Sequence, residues 1–246
     1  MARLSSLGAA CAAAALILAA SAHAAGERIV SVGGSTTEIV YALGVGERLV
    51  GADTTSIYPA AADALPDVGY VRQLSAEGLL SLSPDLILAG GEAGPDTALA
   101  QTKAAGVRIV KLTEGYTPAE VEAHIEKVGA ALGREAEAAA LNAAFQQDIE
   151  QVLADVATLE GKPRVLFLLQ AGRGGMLVAG GRTAAHAMIE LAGGENAATG
   201  FTGYKPFSPE AATAAAPDVL LVTDQTIEML GGIEKLLADP ALAATP

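Results

Sequence analysis

A repeated pattern of Ser-x-Glu, then Pro-Asp and an apolar run, constrains the fold of this chain more than any other feature. The first copy spans Ser75–Leu88 and the second spans Ser208–Leu221, with the same internal spacing. In each copy the serine is a typical helix N-cap and the glutamate falls in the first helical turn. Pro-Asp then turns the chain into a buried strand. The repeat predicts two related α/β lobes.

Short apolar runs alternate with helical segments along the rest of the chain. Strands are predicted at Arg28–Val32, Arg48–Gly51, Leu86–Ala89, Val107–Leu112, Arg164–Leu169 and Val219–Val222. Ser35 is the predicted N-cap of the first helix, Ala171–Gly181 is a glycine-rich stretch, and Gly200–Phe207 is a predicted loop. Such alternation favours parallel pairing, in which loops at the carboxyl ends of strands form a ligand crevice.

A long helical region begins at the capping signature Thr117-Pro118-Ala119-Glu120 and is expected to break near Gly133. Its second part, Arg134–Leu159, is about 39 Å long at 1.5 Å per residue. That length suits a rigid strut between two lobes; a helix packed on one larger sheet is the alternative. The predicted divisions are an N-terminal lobe at 25–133, a connecting helix at 134–160 and a C-terminal lobe at 161–246.

The first residues, Met1–Ala24, are typical of a cleaved secretory signal peptide. Arg3 is the basic segment, Ala9–Ala20 is the apolar run and Ala22-His23-Ala24 is a small-x-small cleavage site. Cleavage would remove Cys11, the only cysteine. The mature chain would then carry no disulfide and no cysteine nucleophile.

The mature chain is strongly acidic. Without Arg3 it has 14 basic and 28 acidic residues, a net charge of −14. Phosphates would be repelled, so a nucleic-acid partner is disfavoured. No apolar stretch of membrane length follows the leader, and we expect a soluble, secreted product.

The loop around Tyr70 carries the most unusual chemistry in the sequence. A lone tyrosine stands two residues before Arg72, just ahead of the helix that Ser75 caps. Free tyrosine has a pKa of roughly 10, so binding iron near neutral pH needs a ferric centre or a nearby cation to favour the phenolate. Arg72 could supply that cation. The alternative is a tyrosine ring packed under the loop with Arg72 in solvent.

No catalytic set stands out. His124 lies among glutamates in a helix and is expected to be a surface residue, and His186 is expected in packing or at the surface. Gly33-Gly34-Ser35 lacks the spacing of a dinucleotide-binding loop. The chain is therefore expected to bind rather than catalyse; a secreted hydrolase using acidic residues is the alternative class.

Three segments resemble the periplasmic hemin-binding proteins of haem ABC importers: Val30–Gly44, Asp67–Leu79 and Gly203–Glu210. The resemblance covers nearly all of the mature chain. It implies the fold of the cobalamin- and siderophore-binding class: two Rossmann-like α/β lobes joined by a single long helix, with a ligand cleft between them.

By that resemblance, Tyr70 is the axial ligand to ferric haem (Fe(III) protoporphyrin IX) and Arg72 steadies its phenolate, in keeping with tyrosine as a known axial ligand. Arg173, Tyr204 and Lys205 are candidates for stacking on the porphyrin or pairing with its propionates. The implied location is the periplasm, and we expect a monomer. A ferric-siderophore or cobalamin carrier, which would not need Tyr70 as a ligand, is the alternative.

The same class docks on the permease dimer of its ABC importer through one glutamate on each lobe. Glu77 and Glu210 occupy matching positions in the repeat and are assigned that role. The alternative is that they only stabilise helix N-termini, at ~0.3–1 kcal/mol each. Relatives usually continue beyond the point that corresponds to Pro246 with a strand and a helix, so the second lobe is expected to be incomplete or truncated.

Overall fold

The computed structural model describes residues 27–170, 176–206, 208, 215–238 and 242. The chain forms two compact units. The first unit contains the chain up to Glu114 together with Ala123–Leu141, and the second contains Gly115–Glu122 and the chain from Asn142 onward. The predicted signal peptide lies outside the described residues, and the predicted lobe boundaries at residues 133 and 160 stay predictions.

The first unit is built on a four-stranded parallel sheet with the strand order β2-β1-β3-β4. The strands are β1 (Ile29–Val32), β2 (Leu49–Ala52), β3 (Leu86–Ala89) and β4 (Arg108–Lys111). Every residue of β1 and β3 is buried, which explains why these central strands appear in the sequence as apolar runs, interrupted only by Ser31 in β1. The connections after β1 and β3 leave in opposite directions, so this pair is the topological switch point where α/β sheets bind ligands.

The helices of this unit are α1 (Gly34–Ala42), α2 (Ala60–Asp63), α3 (Ala76–Leu80) and α4 (Asp96–Ala104), together with α5 (Pro118–Leu132) from Ala123 onward. The core between sheet and helices includes Val30, Val32, Leu79, Ile87, Ala98 and Leu99. The predicted cap at Ser75 is confirmed, because its hydroxyl accepts the N–H of Gly78 at 3.0 Å. Ser75 therefore fixes the start of α3.

The prediction that Ser35 caps the first helix is wrong. Helix α1 begins at Gly34, and Gly33 is its N-cap with φ of 100° and no side-chain cap. The buried carboxylate of Asp53 accepts the N–H of Gly33 at 2.6 Å. The left-handed turn at this glycine starts the helix directly after the strand, and Ser35 falls inside it.

The long helical region breaks where the sequence indicates. Helix α5 ends at Leu132, Gly133 has φ of 67°, and α6 runs from Glu135 to Val156. At the start of α5, the carboxylate of Glu120 accepts the N–H of Thr117 at 2.9 Å, which confirms the capping box. Helix α6 has 22 residues, about 33 Å at 1.5 Å per residue. It is shorter than the predicted Arg134–Leu159, since it begins one residue later and ends at Val156.

The second unit contains a mixed five-stranded sheet centred on β5 (Arg164–Gln170). Its other strands are β6 (Met176–Ala179), β7 (Glu195–Asn196), β8 (Tyr204–Pro206) and β9 (Val219–Val222). Strands β7 and β9 pair with β5 in parallel, whereas β6 pairs with β5 and β8 pairs with β6 in antiparallel orientation. The predicted α/β class is confirmed, and this unit combines parallel pairs at β5 with antiparallel pairs at β6.

Two segments of the second unit for which no strand was predicted contain one. Residues Met176–Ala179, within the glycine-rich stretch Ala171–Gly181, form β6, and Tyr204–Pro206, within the predicted loop Gly200–Phe207, form β8. Each strand is short and exists because a neighbour accepts and donates its backbone hydrogen bonds. Long-range pairing of this kind overrides local glycine content.

The second unit contains the first residues of α5 and the part of α6 from Asn142 onward. Its further described helices are α7 (Ala184–Leu191), α8 (Asp224–Leu230) and α9 (Ile233–Leu237). Thr183 caps α7 by accepting the N–H of His186 at 3.1 Å. The core of the second unit includes Leu166, Leu168, Val178, Ala197, Leu236 and Leu242. None of the helices in the described part of the chain is long and apolar enough to cross a membrane.

The sequence repeat is also a repeat of contacts. In the first unit, Asp85 accepts the N–H of Arg28 on its carboxylate at 2.9 Å and donates its own N–H to the Arg28 carbonyl at 2.9 Å. In the second unit, Asp218 makes the same two bonds with Arg164, at 2.7 and 2.8 Å. The Pro-Asp turn therefore joins the start of the central strand in both units.

The arginine side chains repeat as well. Each donates from Nη2 at 2.7 Å to a carbonyl three residues before the aspartate, that of Leu82 in one unit and Ala215 in the other. The residue before each proline has a positive φ, 47° at Ser83 and 38° at Ala216. This agreement at contact level supports the prediction of two related units. The predicted helix after Ser208 falls mostly outside the described residues.

Candidate ligand-binding site

A loop of the first unit presents Tyr70 and Arg72 to solvent. Val68, Val71 and Leu74 of this loop are each only 4% exposed and pack into the core of the unit. Tyr70 is 39% exposed and Arg72 is also exposed. Burial of the apolar residues between and around them directs the phenol and the guanidinium outward. The prediction that Tyr70 belongs to an exposed loop before a helix agrees with this geometry.

Backbone hydrogen bonds tie the Tyr70 loop to both neighbouring segments. One pair joins it to the chain at the end of β2, and the other pair joins it to the loop after β3. The four bonds are Val68 N to Ala52 O (3.0 Å), Thr54 N to Gly69 O (3.1 Å), Gly94 N to Val71 O (2.9 Å) and Leu74 N to Gly94 O (2.9 Å). Both segments lie at the carboxyl edge of the parallel sheet, where the fold class binds its ligands.

The turn that carries Tyr70 depends on Gly69. This glycine has φ of 107°, a conformation that side chains other than glycine rarely adopt. The carboxylate of Asp67 accepts its N–H at 2.6 Å, and the carbonyl of Tyr70 accepts the N–H of Gln73 at 2.8 Å. These bonds close the loop into a compact turn.

Tyr70, Arg72 and Glu92 form a row of polar contacts. Arg72 donates from Nη1 to the phenolic oxygen of Tyr70 at 3.2 Å. Its second terminal nitrogen, Nη2, lies 2.6 Å from the Glu92 carboxylate. Tyr70 and Arg72 are thus brought together as the sequence suggests. Glu92 was not predicted; the available signal was its place in the loop that follows β3, at the topological switch point.

The guanidinium of Arg72 is held in its charged form. Burial alone would lower the pKa of Arg72, but the Glu92 carboxylate and the Tyr70 phenol outweigh that effect, and the pKa lies above its ordinary value. Arg72 therefore offers a permanent positive charge beside the phenol.

Tyr204 and Lys205 lie together on β8 of the second unit. Tyr204 is 39% exposed. The Lys205 ammonium lies 4.8 Å from the centroid of the Phe201 ring, a cation–π distance. Beside them is a pocket of about 300 Å³, lined by Leu166, Val178, Ala197, Ala198, Thr199, Phe201, Lys205, Pro206 and Ala215. The lining is largely apolar with one cation, a surface that suits a ligand with an apolar body and an anionic group.

Of the remaining predicted site residues, one lies in the described part of the chain and two lie outside it. Glu77 lies in the first turn of α3 and is exposed. Arg173 and Glu210 lie outside the described residues. The roles predicted for all seven site residues stay predictions.

The two histidines in the described part of the chain lie near hydroxyl, amide and carboxylate side chains. His124 is half-buried, with Thr113 Oγ1 3.5 Å from its Nε2. His186 lies 3.3 Å from the Asn196 side-chain amide and 3.5 Å from the Glu190 carboxylate. Across the residues that the structure describes, no group of three or more His, Cys, Asp or Glu side chains could hold a metal ion.

Comparison with solved structures finds close similarity to two haem-binding proteins. The periplasmic haem-binding protein BhuT, solved with two haems, is 48% identical with a TM-score of 0.84, and the match covers 89% of this chain and 85% of BhuT. RhuT from Roseiflexus sp. RS-1, solved in apo form, is 43% identical with a TM-score of 0.86, covering 90% of this chain and 85% of RhuT.

Two curated sequence relatives are less similar. The vitamin B12-binding protein of Yersinia pestis is 31% identical over 205 residues, 81% of this chain and 70% of that protein. An uncharacterized ABC transporter substrate-binding lipoprotein of Bacillus subtilis, YvrC, is 29% identical over 201 residues, 80% of this chain. The match spans only 64% of the length of YvrC. A family model described as periplasmic binding protein matches residues 29–246, and the chain therefore belongs to the periplasmic binding protein family.

Proposed function

We propose that this chain is the haem-binding component of an ABC importer and that Tyr70 is the axial ligand to ferric haem. The observation that carries the proposal is the exposed phenol of Tyr70, which accepts a hydrogen bond from Arg72 on a loop fixed at the switch point. The high identity to BhuT and RhuT, both named as haem-binding proteins, supports the same ligand class.

The chemistry of the pair suits ferric haem. A phenolate is a hard oxygen ligand, and Fe(III) and a neighbouring guanidinium both stabilise it against its protonated form. Tyrosine is one of the side chains that bind haem iron axially. Arg72 would donate its hydrogen bond to the phenolate oxygen, which retains lone pairs for both the bond and the iron.

The haem propionates are anionic and would need cationic partners, which are scarce in a chain with a net charge of −13. Lys205, held over the Phe201 ring, is a candidate partner, and Tyr204 and Arg173 are further candidates. Family membership supports a role in transport rather than in catalysis, and it supports an extracytoplasmic location. The proposal also includes a leader, Met1–Ala24, that is cleaved on secretion. The mature protein would act in the periplasm as a monomer.

Delivery to the permease is the second half of the proposed function. Glu77 is exposed at the first turn of α3 and would bind a permease arginine, with Glu210 as its counterpart in the repeat. Charged residues on an exposed surface steer association and select the partner.

A cobalamin carrier is the second candidate. It is favoured by the 31% identity to a vitamin B12-binding protein. A ferric siderophore belongs to the same alternative. Neither ligand would require the phenolate of Tyr70.

An absorbance titration with hemin tests the proposal. Wild type, Tyr70→Phe and the control Tyr41→Phe are compared, since both variants lose one phenolic hydroxyl. Tyr41 lies in the last turn of α1 and packs its ring near Gly46, at the edge of the sheet opposite the switch point. We expect wild type and Tyr41→Phe to give a saturable spectrum with a tyrosinate-to-iron charge-transfer band, and Tyr70→Phe to lose that band.

Cyanocobalamin is titrated in parallel. If wild type and Tyr70→Phe bind hemin with the same spectrum, Tyr70 is not the ligand. If wild type binds cyanocobalamin and fails to bind hemin, the second candidate replaces the first.

A further inference from the structure

We infer that Glu92 is a positioning residue for the ligand site, holding the Arg72 guanidinium in the orientation that donates to Tyr70. This inference rests on the proposed function. It starts from three side chains in a row, with Glu92 Oε1 2.6 Å from Arg72 Nη2 and Arg72 Nη1 3.2 Å from the Tyr70 oxygen.

The shape of the guanidinium makes such positioning effective. Its two terminal nitrogens share one carbon and one plane, so a partner that fixes Nη2 also fixes the direction of the N–H on Nη1. The Arg72 side chain is half exposed, and a long exposed side chain otherwise samples many rotamers. The Glu92 carboxylate narrows that sampling before any ligand arrives.

Glu92 is itself held by the backbone on both sides. Before it, Gly91 packs so closely on the chain at Thr113 and Glu114 that an added Cβ would lie within 2.6 Å of their backbone atoms. After it, Gly94 exchanges two hydrogen bonds with the Tyr70 loop. Glu92 and Tyr70 therefore belong to one hydrogen-bonded backbone framework.

The Glu92 carboxylate has two opposing effects on a Tyr70 phenolate. It aligns the Arg72 donor, which strengthens the hydrogen bond to the phenolate. Its negative charge also offsets part of the positive potential that Arg72 supplies. Glutamine at position 92 separates the two effects, because its amide oxygen still accepts from Nη2 but carries no charge.

The experiment measures hemin dissociation constants and the tyrosinate charge-transfer band for Glu92→Ala, Glu92→Gln, Arg72→Ala and the double variant Glu92→Ala/Arg72→Ala. We expect Glu92→Ala to weaken binding about threefold to tenfold, the range of one hydrogen bond. Glu92→Gln should stay within about twofold of wild type and keep the band. In the Arg72→Ala background, Glu92→Ala should add nothing, because its effect passes through Arg72.

Glu137→Ala is the matched control, since it removes a 2.8 Å ion pair with Arg134 elsewhere in the first unit. It should leave hemin binding unchanged. The inference is overturned if Glu92→Gln weakens binding as much as Glu92→Ala, or if Glu92→Ala weakens it equally without Arg72. If Tyr70→Phe loses binding but Glu92→Ala keeps full affinity, the inference alone fails. If wild type binds no hemin, the proposed function fails first.

Discussion

Replacing Gly91 by alanine tests whether backbone packing fixes the loop that follows β3. A Cβ at this position would lie 2.4 Å from the Glu114 nitrogen, 2.6 Å from the Glu114 Cα and 2.6 Å from the Thr113 carbonyl carbon. All three are backbone atoms, so no side-chain rotation can relieve the contact. Ordinary contacts of a Cβ begin near 3.4 Å, and the loop would have to shift by about 1 Å.

The expected effects follow from that shift. Forcing an extra carbon into a packed site costs about 1–3 kcal/mol, and each kcal/mol lowers the Tm of a chain this size by roughly 2–4 °C. The shift also moves Glu92, the next residue, and lengthens its 2.6 Å contact with Arg72. We therefore expect Gly91→Ala to melt earlier and to bind hemin more weakly, by up to the factor expected for Glu92→Ala.

The assay is thermal unfolding together with hemin titration, with Gly94→Ala as the control. Gly94 belongs to the same loop, but an added Cβ there would meet only atoms 3.9 Å away. Gly94→Ala should therefore match wild type in both measurements. If Gly91→Ala and Gly94→Ala both melt at the wild-type temperature, the backbone contact does not fix the loop and the reasoning is refuted.

Two further predictions concern the repeat. Glu77→Gln should leave hemin affinity unchanged but slow haem uptake in vesicles containing the importer; equal uptake would count against a docking role. Asp85→Ala removes the acceptor for the Arg28 N–H and should cost about 1 kcal/mol of unfolding free energy in urea. Asp85→Asn, which keeps an acceptor oxygen, should recover most of it, and an Asn variant no better than Ala would contradict the assigned bond.

The parts of the fold that were predictable are those set by local chemistry. Strands β1 and β3 are buried on both faces and appear as apolar runs. The serine cap of α3 and the capping box of α5 are local patterns in which a side chain meets a backbone group three residues away. The repeat was visible because the Pro-Asp turn needs the same residues in both units.

The parts that were missed depend on distant partners. Strands β6 and β8 form because they pair with each other, which no local pattern reveals. Helix α1 starts at Gly34 because Asp53 accepts the Gly33 N–H across the sheet edge. Glu92 meets Arg72 only through the adjacency of two loops, 20 residues apart in sequence, that the parallel sheet brings to the same edge.

The four backbone bonds that hold the Tyr70 loop have a kinetic consequence. A loop already fixed by its neighbours does not have to be ordered when a ligand arrives, so association carries little entropic cost from this segment. For the proposed ligand, the rate of capture would then be set by diffusion and orientation and not by a slow ordering of this loop. Stopped-flow mixing should show one phase whose rate rises in proportion to protein concentration. A second, concentration-independent phase would show instead that part of the site is ordered only after the ligand has bound.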